Sequence, residues 1–131
     1  MIVVDASAIV DVLLEQPPNE ALTARLHSAD ELHAPHLLDV EVLSVLRRLC
    51  ATGALSVDAA CLALQNFDRF PITRYPHVPL RDRIWELRNT VSAYDGSYVA
   101  LAEALDLPLA TSDGRLTRSH GHGARIESYA R

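Results

Sequence analysis

The sequence contains no lysine, so all twelve of its basic residues are arginines. Schiff-base catalysis needs a lysine amine, and Walker A phosphate loops and phosphoacceptor receiver domains also depend on a lysine. These classes are therefore excluded. The formal net charge of -5 argues against a protein that coats nucleic acid, because such proteins usually carry a basic face. A nuclease remains compatible, since bound metal can offset the charge of its carboxylates.

Cysteines and long apolar runs are also scarce. Cys50 and Cys61 fall in helical patterns without Cys-x-x-Cys spacing, and we interpret them as reduced thiols that are partly or fully buried. No apolar stretch is long enough to span a bilayer, and the first five residues do not form a basic leader. We therefore expect a cytoplasmic protein without a membrane-spanning segment.

The length of 131 residues and the 49% hydrophobic content predict a single domain over residues 1–131 with a substantial core. Apolar patterns predict strands at 2–4, 31–35, 72–75, 109–111 and, at an edge, 125–127. They predict helices at 6–14, 19–28, 37–52, 56–69, 80–90 and 95–105. This alternation indicates an α/β fold with a parallel sheet covered on both faces.

Four acidic residues lie where a folded protein does not normally place them. Asp5 and Asp113 end two of the predicted strands, whereas Glu41 and Asp95 lie on the apolar stripes of two predicted helices. A carboxylate that loses its hydration must be paired, protonated or bound to a cation. Ligands that are all oxygen select Mg²⁺ or Mn²⁺, and such ions support phosphodiester hydrolysis. We therefore expect one acidic cluster at the carboxyl edge of the sheet that binds one or two metal ions.

Each acid except one also has a purely structural interpretation. Asp5 and Asp95 could cap the helices that follow them, and Asp113 could begin a turn with Gly114. Glu41 lies in the middle of its helix and has no such role. A shared cluster accounts for all four residues together.

Three segments carry a resemblance to a known family: VVDASAIV, LLDVEVLSVLRRL and YDGSYVALAEALDLPLATSDGRL. They resemble the VapC toxins, a branch of the PIN-domain ribonucleases, in order and spacing over nearly the whole chain. The resemblance implies a PIN-like α/β/α sandwich with a central parallel sheet of four to five strands. It also implies cleavage of RNA within the chain, inhibition of translation and growth, frequent homodimers and inactivation by a VapB antitoxin.

By motif position, the same resemblance assigns a metal-binding and catalytic quartet to Asp5, Glu41, Asp95 and Asp113. The ion is Mg²⁺ or Mn²⁺, and Asp5 is expected as a direct ligand. Ser7 and Thr111 match polar positions that orient ligands or water. Two small departures from the family pattern, Gly96 and Gly114, follow two of these acids and remove no ligand.

Several weaker signals lie outside the quartet. We interpret His120 and His122 as part of a flexible Gly-rich loop rather than a zinc site, because further ligands are missing. Arg115 and Arg118 are candidate contacts to a phosphate backbone or simply solvated arginines. Arg47 and Arg48 suit the C-terminal end of their helix. Scattered aromatics do not indicate a base-stacking platform, and Trp85 is expected in the core or a subunit interface.

Two other functions compete with the metal-dependent ribonuclease. A phosphohydrolase with an aspartate nucleophile would need a second acid two residues after Asp5, where the chain has Ser7. A non-catalytic PIN-fold module could instead act through an antitoxin partner, with DNA bound only indirectly. Four converging carboxylates argue against that module, because a scaffold has no need of them.

Overall fold

A computed structural model describes all residues from Met1 to Arg131. Short strands alternate with helices along the chain. The strands are β1 (Ile2–Val4), β2 (Leu32–Pro35), β3 (Ile72–Tyr75), β4 (Leu109–Thr111) and β5 (Ile126–Ser128). The helices are α1 (Ala6–Leu14), α2 (Glu20–Ser28), α3 (Leu37–Ala51), α4 (Val57–Phe67), α5 (Arg81–Glu86), α6 (Ala93–Leu105) and α7 (Gly114–Thr117), and a single 3-10 turn (Val78–Leu80) precedes α5.

All neighbouring strands are parallel, in the order β3-β2-β1-β4-β5. The chain moves outward from β1 through β2 and β3 and then returns to the other side of β1 with β4 and β5. Val3 accordingly pairs with His33 on one side and Leu109 on the other. The strand order reverses between β1 and β4, which is where ligand sites form in open parallel sheets. The predicted parallel sheet is confirmed.

Helices cover the sheet in two layers. Helix α6 packs against β1, β2 and β4 and also against α5, whereas α1 packs against β4, α3 and α4. Crossovers between parallel strands are nearly always right-handed, so connecting helices are expected to change face where the strand order reverses. The expected α/β/α sandwich is therefore confirmed. None of the helices combines the length and apolar character needed to cross a membrane.

The core explains the apolar run at the start of the chain. Ile2, Val3 and Val4 are fully buried because β1 is the central strand and is covered on both faces. Twenty-nine buried hydrophobic residues form one continuous core cluster. The packed core therefore holds the carboxyl ends of β1 and β4 rigidly. The residues that directly follow these two strands are held close together at the same edge of the sheet.

Helix α5 ends at Glu86, several residues earlier than predicted. The N–H groups of Arg88 and Thr90 donate to carbonyl groups three residues back, at 3.1 and 2.8 Å. Bonds of this spacing tighten the chain out of α-helical geometry. The segment from 87 to 90 therefore forms turns, although its sequence pattern continues that of the helix.

Two side chains are more exposed than their patterns indicated. Trp85 is 67% exposed, so its predicted place in the core is wrong and only its interpretation as an interface residue stays a prediction. Cys61 is exposed, whereas Cys50 is half-buried as expected, and both thiols are free. Cys61 therefore lies on the outer face of α4, and Trp85 lies on the outer face of α5.

Candidate active site

Four carboxylates line one hollow of about 320 Å³ at the carboxyl edge of the sheet. Asp5 follows β1, Glu41 lies in α3, Asp95 lies in the first turn of α6, and Asp113 precedes α7. Four elements that are far apart in sequence thus contribute one acid each. The structure brings together every member of the predicted quartet, at the point where the strand order reverses.

Asp5 is buried and serves as the N-cap of α1. Its Oδ1 accepts the Ala8 N–H at 2.9 Å and the Ser7 hydroxyl at 2.6 Å, and its Oδ2 accepts the Thr111 hydroxyl at 2.5 Å. Burial raises the pKa of Asp5 to about 6, although these hydrogen bonds oppose the rise and the charge of Asp95 adds to it. The residue therefore combines the capping role with a place in the acidic hollow.

Ser7 and Thr111 connect the ends of the two strands where the order reverses. Their hydroxyl oxygens lie 3.2 Å apart. Ser7 Oγ accepts the Ser112 N–H at 3.0 Å, and Thr111 Oγ1 accepts the Asp113 N–H at 3.0 Å. These two hydroxyls therefore fix the Asp5 carboxylate and also the backbone that leads to Asp113.

Glu41 is half-buried and bound by a tyrosine. The hydroxyl of Tyr98, a residue that is only 1% exposed, donates to Glu41 Oε1 at 2.6 Å. Burial raises the pKa of Glu41, the hydrogen bond from Tyr98 opposes the rise, and the charge of Asp95 adds to it. The contact joins α6 to α3 and leaves Oε2 of Glu41 without this donor.

Asp95 is not the cap of its helix, so that structural interpretation is wrong. Ser92 is the N-cap, and its Oγ accepts the Asp95 N–H at 3.1 Å. Burial raises the pKa of Asp95, the charge of Asp113 adds to the rise, and the charge of Arg115 opposes it. The side chain of Asp95 therefore lines the hollow and does not cap its own helix.

Asp113 caps the short helix α7, which the sequence pattern did not predict. Its Oδ1 accepts the Arg115 N–H at 2.8 Å, and its Oδ2 lies 3.3 Å from the Arg115 guanidinium. Burial tends to raise the pKa of Asp113, but the hydrogen bonds and positive charge of Arg115 hold it below its usual value. Asp113 is therefore ionised more readily than its three neighbours.

The donor chemistry of this hollow fits a hard divalent cation. Its acidic ligands are carboxylates with no thiol or imidazole among them, and the charge of Asp95 raises the pKa of both Asp5 and Glu41. A cation would relieve that repulsion. No three acidic, histidine or cysteine side chains stand close enough to form a ready-made metal cage. His122 bonds instead to Ser119 Oγ at 2.8 Å, in a separate loop.

The sequence patterns missed two residues that line the same hollow. Tyr98 is a buried core residue, yet it lies three residues after Asp95 and thus on the same side of α6. Arg48 was assigned to the end of α3, yet it lies seven residues after Glu41, two turns along the same face, and lines the hollow. Helical spacing from the acids is the signal that identifies both.

Comparison with known proteins gives a consistent result. Residues 2–120 match the PIN domain. The chain is 43% identical to Ribonuclease VapC12 of Mycobacterium tuberculosis over 99% of its own length and 100% of that protein. It is 50% identical to Ribonuclease VapC9 of the same organism over 89% of each chain. The crystal structure of Mycobacterium tuberculosis VapC20, a Sarcin-Ricin loop cleaving toxin, superposes with a TM-score of 0.69 at 16% identity and covers 89% of this chain and 93% of that one. This chain therefore belongs to the PIN-domain family and to its VapC branch.

Proposed function

We propose that this chain is an endoribonuclease that depends on Mg²⁺ or Mn²⁺ and acts as the toxin of a toxin–antitoxin pair. It hydrolyses RNA phosphodiester bonds and thereby inhibits translation and growth. The observation that carries the proposal is the meeting of four carboxylates from four elements in one hollow. Relatives that are named ribonucleases and match almost the whole chain add support.

Asp5, Glu41, Asp95 and Asp113 are the residues that would hold the ion. When bound, the ion supplies positive charge that offsets these carboxylates and polarises water and phosphate. Ser7 and Thr111 keep the Asp5 carboxylate in place through their hydroxyl groups. Their hydrogen bonds fix the rotamer of Asp5 before any ligand enters, which reduces the ordering cost of binding.

Arginines would position the substrate. Arg115 and Arg48 line the carboxylate hollow, and the Arg115 side chain is 82% exposed. A planar guanidinium suits a phosphate because it can donate two parallel hydrogen bonds. Arg115 is therefore placed to exchange its contact with Asp113 for one with an RNA phosphate.

The partners belong to the same proposal. We expect a VapB-type antitoxin to inhibit the enzyme in the cytoplasm, and DNA to be contacted only through that antitoxin. We also expect a homodimer in which the whole chain, residues 1–131, acts as one domain. The exposed apolar side chains of Val40 and Leu43, one turn apart on α3, are our candidate for the dimer contact.

The decisive experiment expresses the wild type, Asp95→Asn and Asp30→Asn in a bacterial host and sequences new RNA 5′ ends. Asp30 is an exposed acid outside the hollow and serves as the matched control. We expect discrete new ends and growth arrest with the wild type and Asp30→Asn, and neither with Asp95→Asn. Equal patterns of RNA ends in all three strains would refute the proposed nuclease.

A further inference from the structure

A second hollow, of about 340 Å³, opens directly beside the carboxylates. It shares Glu41, Asp95 and Arg115 with the first hollow. A polymer whose phosphate lies at the carboxylates would therefore place its next unit in this second space. The two hollows form neighbouring compartments of one surface groove.

An exposed aromatic ring forms part of the wall of this second hollow. Tyr94 precedes Asp95 in the first turn of α6 and is 62% exposed, whereas Tyr98 on the same helix is only 1% exposed. The two tyrosines thus differ in solvent exposure, which the sequence pattern did not predict. An aromatic face that is open to solvent beside a phosphate site is a surface on which a base can stack.

The remaining wall provides the other chemistry that a nucleotide needs. Arg115 stands at the boundary between the two hollows and supplies positive charge for a phosphate. Thr90 and Ser92 contribute hydroxyl groups, and Val91 contributes an apolar side chain. Hydroxyl groups can both donate to and accept from the edges of an unpaired base. The hollow therefore combines stacking, polar and phosphate-binding groups.

We propose that this second hollow binds the nucleobase next to the cleaved phosphodiester, and that Tyr94 stacks on that base. The inference rests on the proposed ribonuclease function and adds to it a residue that determines substrate preference. Single-stranded RNA is the occupant that the groups favour, because only an unpaired base exposes both its face and its edges.

A direct test is photocrosslinking of the full-length protein to a randomised single-stranded RNA pool that contains 4-thiouridine. With Mn²⁺ present, we expect mass spectrometry to find the crosslink in the peptide that carries Tyr94. Crosslinks confined to other peptides would overturn the inference. This readout reports contact and does not depend on cleavage.

A kinetic test uses Tyr94→Ala, Tyr94→Trp and Trp85→Ala on the same pool. We expect Tyr94→Ala to raise KM on the order of 10-fold with a much smaller change in kcat, and to flatten the base preference beside the cut. Tyr94→Trp should retain both properties because it keeps an aromatic face. Trp85 is exposed but lies outside the hollow, so Trp85→Ala should behave as the wild type. Unfolding curves from circular dichroism establish that each variant is folded.

The outcomes separate this inference from the proposed function. Cleavage by the wild type, with unchanged KM and base preference in Tyr94→Ala, overturns the inference and leaves the nuclease intact. A crosslink at Tyr94 without cleavage by the wild type supports the RNA contact and refutes the nuclease. If Tyr94→Ala weakens inhibition by the antitoxin and leaves KM unchanged, a protein segment occupies the hollow and the proposal is wrong.

Discussion

Asp5 makes opposing contributions to the stability of the protein. It caps α1 and accepts three hydrogen bonds, yet its burial raises its pKa from 3.8 to about 6. Because the folded state binds the proton more tightly than the unfolded state, stability falls as the pH rises from about 4 to about 6. The difference between the two pKa values corresponds to a loss of roughly 3 kcal/mol in the free energy of unfolding at pH values above this range. Without a cation, ionised Asp5 therefore destabilises the fold.

This loss of stability with rising pH should be absent when residue 5 carries no charge. In the absence of metal, Asp5→Asn should be more stable than the wild type at about pH 7, and the difference should shrink as the pH approaches about 4. Asparagine retains the capping ability but carries no charge. Urea unfolding in EDTA over this pH range measures the effect, and Asp30→Asn controls for a general change in charge. An Asp5→Asn variant that is less stable at every pH would show that the three hydrogen bonds outweigh the buried charge.

The hydrogen bond from the Tyr98 hydroxyl to Glu41 can be tested by removing a single oxygen atom. Tyr98→Phe keeps the buried ring and removes the donor to Glu41 Oε1, which should cost about 1 kcal/mol of stability. The loss should also raise the pKa of Glu41, since the hydrogen bond lowers it, and so weaken binding of Mn²⁺ as the pH falls and protons compete for the carboxylate. Raising the pH should restore part of that affinity.

Titration calorimetry with Mn²⁺ measures the effect of Tyr98→Phe. Tyr75→Phe is the matched control, because its hydroxyl also has one side-chain partner, His33, at 2.7 Å, but outside the acidic hollow. The two variants should lose similar stability. Only Tyr98→Phe should lose affinity for Mn²⁺, and equal affinities in both variants would remove Glu41 from the metal-binding set.

At the scale of elements, helix ends control where the acids lie. Ser92 caps α6 by accepting the Asp95 N–H at 3.1 Å, and Ser56 caps α4 in the same way through Ala59 at 3.1 Å. Replacing either serine with alanine should cost about 1 kcal/mol of stability. Only Ser92→Ala should also reduce cleavage, because fraying of the first turn of α6 displaces Asp95. Parallel unfolding and cleavage assays compare the two variants, and equal loss of cleavage in both would indicate a general effect of stability.

The sequence predicted the elements whose patterns are local. The apolar run before Asp5 and the stripe around Glu41 identify β1 and α3, and the alternation of strands and helices is enough to predict the parallel sheet. The contact of Tyr98 with Glu41 could not be predicted in this way. It joins α6 to α3 across 57 positions and depends on how the two helices pack. The exposure of Tyr94 depends on the same packing.

At the scale of the whole molecule, strand order determines the site. The order β3-β2-β1-β4-β5 sets the ends of β1 and β4 side by side, so Asp5 and Asp113 meet although more than one hundred residues separate them. Arg48 and Arg115 then line the same hollow from α3 and α7. The acidic net charge of -5 is thus compatible with the proposed RNA substrate, because the proposed mechanism calls for basic groups and a cation only at this edge.

Assembly provides the last prediction. Val40 is 64% exposed and Leu43 is 49% exposed, and their spacing places them on one face of α3. Scattered apolar residues are normal on a surface, whereas neighbouring ones suggest a contact. Leu43→Arg should therefore convert a dimer to a monomer in light-scattering measurements. In a two-fold interface the arginine of each subunit would be buried near the same arginine of the other subunit, with no negative charge to pair with it. Leu62→Arg, on α4 and 58% exposed in the monomer, is the matched control and should stay dimeric. A monomer from Leu62→Arg alone would move the interface to α4, and a wild type that is itself monomeric would refute the proposed homodimer.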